Sequence, residues 1–377
     1  MIIEDYTLEN CIRKDSCNVL YLTSKKYDPK KYLTKAYDRQ KIEQTNVLRE
    51  LRNEIIMLGH LKHPNIIILQ DWKKSKKSYY IIYEYCNGGN LSQALEKYIE
   101  KFGKPFPEGI VQHLMLQIID AFKYLHKKRI IHRDINLDNI LLQYESEEDA
   151  KNLNLMKAQI KIIKFHYAIK YVDNSDPFYW DKPDINSKYK DPVLFEHLNN
   201  KPRRKKIPNL QNDIWSIGCI CYEMLTGKQI FCCDNMDEFM KIIEKGIYHI
   251  PISLSFEAIS FINGMLQYDI QKRFSAEELS KYDFLIKDAN QFKKIDFEIS
   301  GKINSGMLEI DIKNNSNIFS IFNKKYEILR EQEKESKIKT ETKNIQEKKE
   351  DNKISGKANE DSDLAEKNFY ISEDLFD

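Results

Sequence analysis

The stretch "IIHRDINLDNILL", Ile130 to Leu142, decides how this chain is read. It sets His-Arg-Asp between two apolar runs, with an asparagine, Asn139, five positions after the aspartate, Asp134. The flanking residues are strand-like, so the polar residues belong to a loop held at both ends. Alone, His-Arg-Asp carries little weight. What lies on either side supplies it.

Downstream, "IKIIKFHYAIK", Ile160 to Lys170, reads as a short buried strand that turns at His166. Lys164 ends its apolar run, where a chain normally avoids burying charge. Upstream, "GIVQHLMLQIIDAFKYLHKK" gathers Ile110, Val111, Leu114, Met115, Ile118, Ile119, Phe122 and Leu125 into one broad apolar stripe, the mark of an amphipathic helix.

Before the turn "CNGGN", Cys86 to Asn90, short β-rich runs alternate with one helix. "CNVLYLTSKKYDPKKYLTKAYD" predicts two strands joined by a hairpin around Asp28–Pro29. "TNVLRELRNEIIMLGHLKH" carries Leu48, Leu51, Ile55, Leu58 and Leu61 at helical spacing and stops before His63–Pro64. "PNIIILQDW" and "SYYIIYEY" predict two more strands. After the turn, helices dominate. The fold class is therefore α+β and bilobal: a small β-rich lobe over residues 1–86 and a larger helical lobe over 87–287.

Past residue 288 the composition changes. No proline follows, and "REQEKESKIKTETKNIQEKKEDNKISGKANEDSD" is almost wholly polar or charged. Such a stretch cannot bury enough apolar area to offset its ordering entropy. Residues 288–377 are thus expected to form a charged, largely disordered tail. Residues 292–329 keep enough apolar side chains to be a candidate for docking on the body, and the terminal "NFYISEDLFD" is either a docking peptide or a frayed end.

Composition excludes several classes. The net charge of +2 points neither to nucleic acid nor to an anionic membrane. The seven cysteines and eight histidines show no zinc-site spacing, so no metal site is expected from them. No run approaches eighteen apolar residues, and the N-terminus lacks the pattern of a signal peptide. A reduced, cytoplasmic protein is expected. "KPRRKKIP", Lys201 to Pro208, is a basic patch for import or acidic partners, or else a solvated loop.

The ordered set of motifs across residues 6 to 287 resembles the eukaryotic protein kinase superfamily, serine/threonine type. The resemblance gives Asp134 and Asn139 the places of catalytic base and second-metal ligand. Lys35 in "YLTKAYD" is similar to the lysine that holds the nucleotide phosphates, and Glu54 to its ion-pair partner on the small-lobe helix. "IIYEYCNGGNL" resembles the hinge, with Tyr83 as gatekeeper and Glu84 to Cys86 along the adenine edge. Leu20, Leu33 and Leu141 take places around the nucleotide. Leu58, Leu69, His132 and Phe165 match four side chains stacked between the lobes. Asp213 in "NDIWSIGCICYEMLTG" is similar to the aspartate that buttresses the catalytic loop. Arg273 resembles an arginine that pairs with an acid below the activation loop. The catalytic loop and hinge look similar to those of autophagy-initiating and calmodulin-regulated groups.

The same comparison exposes departures. Arg13, Asp15 and Asn18 fill the three glycine positions of the phosphate-cradling loop, where only glycine lets backbone N–H groups close over phosphates. Leu33 replaces a small alanine against the adenine, which typically costs about 1–3 kcal/mol in a close-packed slot. Asn136 replaces a lysine that neutralises the transferring phosphate. Lys164 replaces the metal-binding aspartate, and His166 the glycine after it. A doubly charged ion about 5 Å from that ammonium meets roughly 6 kcal/mol of repulsion at an effective dielectric near 20. "YKDPVLFEH" departs from the Ala-Pro-Glu element, so Asp191 or Glu196 is expected to serve Arg273. Lys164 is expected to find Glu54, Asp134 or Asn139 as partner. Arg133 and the stretch holding Ser175 and Ser187 could form a phosphate-ordered switch.

Three readings stay open. The first is a pseudokinase, a scaffold or allosteric regulator for protein partners, an active kinase among them. The second is a weakly active serine/threonine kinase, and the third a metal-independent nucleotide binder. In all three, ATP binding is weakened and magnesium does not bind normally.

Overall fold

Alternating side chains build the first sheet of this computed structural model. In β2 (Tyr6–Lys14), Tyr6 and Leu8 point inward while Thr7 and Glu9 face solvent. Together with β1 (Ile2–Ile3), β3 (Asn18–Lys25), β4 (Asp28–Asp38), β5 (Leu69–Lys74) and β6 (Ser78–Glu84), it forms a six-stranded antiparallel sheet in the order β1-β2-β3-β4-β6-β5. β6, flanked on both sides, buries five consecutive residues from Tyr79 to Tyr83. The β3–β4 turn falls at Lys26–Tyr27 rather than around Asp28–Pro29. Tyr27 takes the left-handed conformation (φ 63°), and Pro29 lies inside β4. The described residues are 2–43, 45–171, 189–192, 209–231, 238–239, 241–242, 247–251, 253–288, 290, 303–304 and 307–311.

α1 (Arg39–Ile42) is a single turn, and α2 (Val47–Gly59) is the small lobe's main helix. α2 buries Leu51, Ile55 and Leu58 and, unusually, the polar pair Asn53 and Glu54. After the hinge, α3 (Leu91–Phe102) starts from a capping box between Asn90 and Gln93. It stops at Gly103, whose φ of 66° suits a residue without a Cβ. α4 (Glu108–Lys127) buries the predicted stripe from Val111 to Leu125. α5 (Glu147–Asn152) is a short surface helix. α6 (Gln211–Thr226) buries every residue from Asn212 to Tyr222, and a helix buried all round belongs at the centre of its lobe.

Short strand pairs hold the loop between α4 and α6. β7 (Ile130–Ile131) pairs with β10 (Ile169–Lys170), and β8 (Ile140–Gln143) with β9 (Gln159–Ile162). The loop quoted at the outset thus enters from one ladder and leaves into another. The compact unit continues to Lys313. There β11 (Ile247–Pro251) pairs with β13 (Met307–Asp311), which also pairs with β12 (Ile303–Asn304). The hairpin falls where a tail was expected from composition. Residues 312–377 lie outside the described set, as do Lys201 to Pro208, Ser175, Ser187 and Glu196.

Candidate active site

The catalytic-loop frame rests on Asp213 near the start of α6. Its carboxylate is 1% exposed and accepts the backbone N–H groups of His132 and Arg133, both at 2.9 Å. His126 Nε2 lies 3.4 Å from the same carboxylate. Arg133 takes a left-handed backbone (φ 70°), so these bonds hold a bend that the chain would not choose by itself. His132 is fully buried and hydrogen-bonds through Nε2 to the Ile163 carbonyl oxygen at 3.0 Å. Its ring meets Phe165 edge-on, centroids 4.8 Å apart. Leu58 is buried and Leu69 half-buried.

Asp134 and Asn139 are brought together by that frame. The Asn139 amide donates to the Asp134 carboxylate at 2.8 Å and to its carbonyl oxygen at 2.6 Å. Asn136 caps the turn that follows, accepting the Asp138 N–H at 3.0 Å while its amide donates to the Asp134 carbonyl oxygen at 3.2 Å. Asn139 Oδ1 is buried and has no hydrogen-bond partner.

Lys164 closes the site from β9. Its backbone is left-handed (φ 64°, ψ 60°), which costs a non-glycine residue on the order of 1–2 kcal/mol. The expectation of a buried, paired cation is corrected here. Lys164 is exposed, and among the described residues it makes no ion pair or hydrogen bond. The left-handed bend swings the side chain off the apolar run, so no burial has to be compensated.

Lys35 and Glu54 also depart from expectation. They do not form an ion pair among the described residues. Lys35 on β4 instead holds its ammonium 5.1 Å from the centre of the Tyr37 ring. Glu54 is 5% exposed and faces the Tyr83 hydroxyl and the Phe165 N–H. Burial pushes its carboxyl above the usual range, against the pull of Lys35, Tyr83, Phe165 and Lys164. The Tyr83 hydroxyl thus meets the small-lobe helix at Glu54. His166 stays neutral, its pKa lowered to about 3 by burial and by the nearby charges of Lys35, His132 and Lys164.

The residues expected around a nucleotide are partly covered. Leu20, Leu33 and Leu141 are each half-buried. Cys86 at the hinge is half-buried, and burial raises its thiol to about 12, which makes it a poor nucleophile. Glu84 spends its carboxylate inward, on the Lys161 ammonium at 3.0 Å and the Ile68 N–H at 2.8 Å. In the former glycine loop, Arg13 pairs with Asp15 at 3.0 Å, and the Asp15 N–H bonds to the Asn18 carbonyl oxygen at 2.8 Å. The Asp15 backbone donor at this turn is therefore directed within the hairpin.

Arg273 has its acid. Its guanidinium pairs with Asp191, both side chains fully buried, and bonds to the carbonyl oxygens of Gln267 at 2.8 and 2.9 Å and Gln211 at 2.7 Å. Of the two acids expected, Asp191 is the partner, and Glu196 is outside the described residues.

Two site residues escaped the sequence reading. Asn53 donates its amide to the carbonyl oxygens of His166 and Ala168, each at 2.8 Å, and so clamps the segment after Lys164 to α2. The available signal was a second polar residue on the buried face of α2, beside Glu54. Asn53→Leu keeps the volume and leaves those carbonyls without a donor, at about 1–3 kcal/mol. Hydrogen exchange across residues 165–168 should quicken in that variant. Unchanged protection there would refute the clamp. The second missed residue, Lys161, could have been suspected as a lysine inside a strand.

A protein kinase domain family model matches residues 16–285. The chain belongs to the protein kinase family. Among curated proteins it is similar to serine/threonine-protein kinase PLK4 of Drosophila ananassae, 26% identical over 287 residues, 76% of this chain and 34% of that protein. The PLK4 of Danio rerio is 25% identical over 315 residues, 83% of this chain and 31% of the relative. That of Drosophila grimshawi is 24% identical over 287 residues, again 76% and 34%. The chain spans about a third of the length of these relatives, which bear neither of the group names that the loop and hinge suggested. Among the described residues, no helix is long and apolar enough to cross a membrane.

Proposed function

We propose that this kinase domain is impaired in magnesium-dependent phosphotransfer and acts by binding, as a cytoplasmic scaffold or allosteric regulator of protein partners, an active kinase among them. Lys164 carries the reading. It puts an exposed ammonium where the family places a carboxylate for the metal. The donor set suits magnesium poorly: the orphaned Asn139 Oδ1 is one amide oxygen, and Asp134 already accepts the Asn139 amide. Magnesium is normally held by carboxylates and phosphates, and a neighbouring ammonium opposes it. Lys35 lies over Tyr37 instead of pairing with Glu54, and Asn136 supplies no charge to a phosphate in transfer. Packing and chemistry part company in this site.

A second reading keeps the enzyme. Asp134 retains its bond to Asn139, and Asp213 holds the N–H groups of His132 and Arg133 just before it, so a carboxylate stands where a substrate hydroxyl could give up its proton. The relatives' names, serine/threonine-protein kinase, favour transfer to protein hydroxyls. Radiolabelled γ-phosphate transfer by the full chain with magnesium separates the two. The expected result is no transfer above that of Asp134→Asn. Transfer that this variant abolishes would establish the second reading.

A further inference from the structure

We infer that a cavity between the C-terminal half of α4 and the start of α6 docks an extended segment of a partner protein. The segment carries a basic, an apolar and an acidic side chain at alternate positions. None of the lining residues belongs to the nucleotide cleft, so occupancy here is independent of whether the domain transfers phosphate.

The cavity measures about 610 Å3, inside the range of about 300–1,000 Å3 usual for ligand sites. Tyr124, Leu210, Ile214 and Ala276 give it apolar surface, the last two being buried. Asp120, Lys123 and Lys127 line it from one face of α4. Lys123, in the middle, is answered by Glu277 at 3.4 Å, and Glu277 also takes Lys281 at 2.9 Å. Glu278 spends its carboxylate on the Ser275 N–H at 2.8 Å. The two ends keep their charge. Asp120 is 62% exposed, and its partner among the described residues is His63 Nε2 at 3.2 Å. His63 Nδ1 accepts the Asn65 N–H at 3.1 Å, so the ring is neutral and does not cancel the carboxylate. At the other end Lys127 is exposed and makes no ion pair among the described residues. Lys128 beside it lies 5.2 Å from the centre of the Tyr124 ring.

A cavity that is acidic at one end, apolar in the middle and basic at the other selects an occupant of matching order. Asp120 and Lys127 stand about 10 Å apart along the helix axis. Alternate side chains of an extended strand point the same way, and four steps cover about 13 Å. A basic, an apolar and an acidic residue at alternate positions therefore all face the cavity, and the long stems of Lys127 and Lys128 take up the difference in reach. A ligand of one charge sign meets repulsion at one end, which disfavours a purely acidic or purely basic peptide.

Fluorescence anisotropy of labelled peptides with the full chain tests this. The probes are Ser-Lys-Ser-Leu-Ser-Asp-Ser, the same peptide with lysine at both charged positions, the same with aspartate at both, and the mixed peptide with serine for leucine. The mixed peptide is expected to bind at sub-millimolar concentration. Each same-sign peptide should bind about threefold more weakly, the scale of one exposed ion pair. Serine for leucine should cost several-fold more, because the apolar anchor is lost. Lys127→Glu makes both ends acidic and should shift the preference to the peptide with two lysines. Asp120→Lys should shift it to the one with two aspartates. Thermal midpoints equal to wild type show that the variants fold, and Lys127→Glu, at an exposed position, decides the matter alone if Asp120→Lys does not. No binding of the mixed peptide up to millimolar concentration, equal binding of all four peptides, or a preference unmoved by Lys127→Glu would each overturn the inference. A concentration-dependent dimer of the full chain that Lys127→Glu disperses would give the cavity to a second copy and overturn the assignment to a partner.

Discussion

Arg273→Met is expected to destabilise the kinase unit by about 3–5 kcal/mol, the range for removing one partner of a buried ion pair. Methionine keeps much of the apolar stem, so the loss comes from charge and hydrogen bonding. Asp191 would retain the Asn212 amide at 2.6 Å but lose the guanidinium, and three bonds to the Gln267 and Gln211 carbonyl oxygens would go with it. The guanidinium also lies 5.1 Å from the centre of the Trp215 ring, a contact a thioether replaces only in part. In a domain of this size the midpoint of thermal unfolding should fall by on the order of 10 °C. Adding Asp191→Leu should recover part of the loss, because the stranded carboxylate is then gone. A single variant within about 1 kcal/mol of wild type would show that the pair is not sealed from water.

Asp213→Ala should be nearly as severe. Its carboxylate serves the His132 and Arg133 N–H groups at once, with no exposure to speak of. Leaving buried donors unmet costs about 1–3 kcal/mol each, so roughly 2–5 kcal/mol is expected in urea denaturation. Asp213→Asn is a sharper probe: one carboxamide oxygen can meet one N–H, while the NH2 faces the other. It should fall between wild type and alanine, and the catalytic loop should show faster hydrogen exchange than in wild type, with α4 unchanged. Equal stability of all three proteins would mean that the strand pairs alone fix the loop.

The two lobes, the long helices and the residues of the catalytic loop were legible because each depends on local pattern. The stripe of α4 follows from a period of 3.6, and the loop between β7 and β8 from spacing. The position of Asp191 could be narrowed to two acids, but burial chose between them. What the sequence could not disclose depends on where a flexible side chain ends up. Lys35 lies over the Tyr37 ring, while the Glu54 carboxyl meets the hydroxyl of Tyr83, a residue 48 positions from Lys35 in the chain. Lys164 follows a bend that no local propensity favours, so apolar neighbours suggested burial where exposure results. The β3–β4 turn moved for a related reason. Tyr27 accepts a left-handed backbone, which frees the stronger turn residues Asp28 and Pro29 to join the strand, where the Asp28 carboxylate takes the Lys30 N–H at 2.9 Å.

The bend at Lys164 has a consequence for how this corner could be re-engineered. It is imposed from outside the residue, by Asn53 on one side and by the Ile163 N–H bonded to the Asn139 carbonyl oxygen at 3.0 Å on the other. The backbone there behaves as a socket whose shape does not depend on what is plugged into it. Charge at the corner can then be varied by single substitutions while the surrounding scaffold stays in place, and binding and turnover become separately adjustable properties of one unchanged framework.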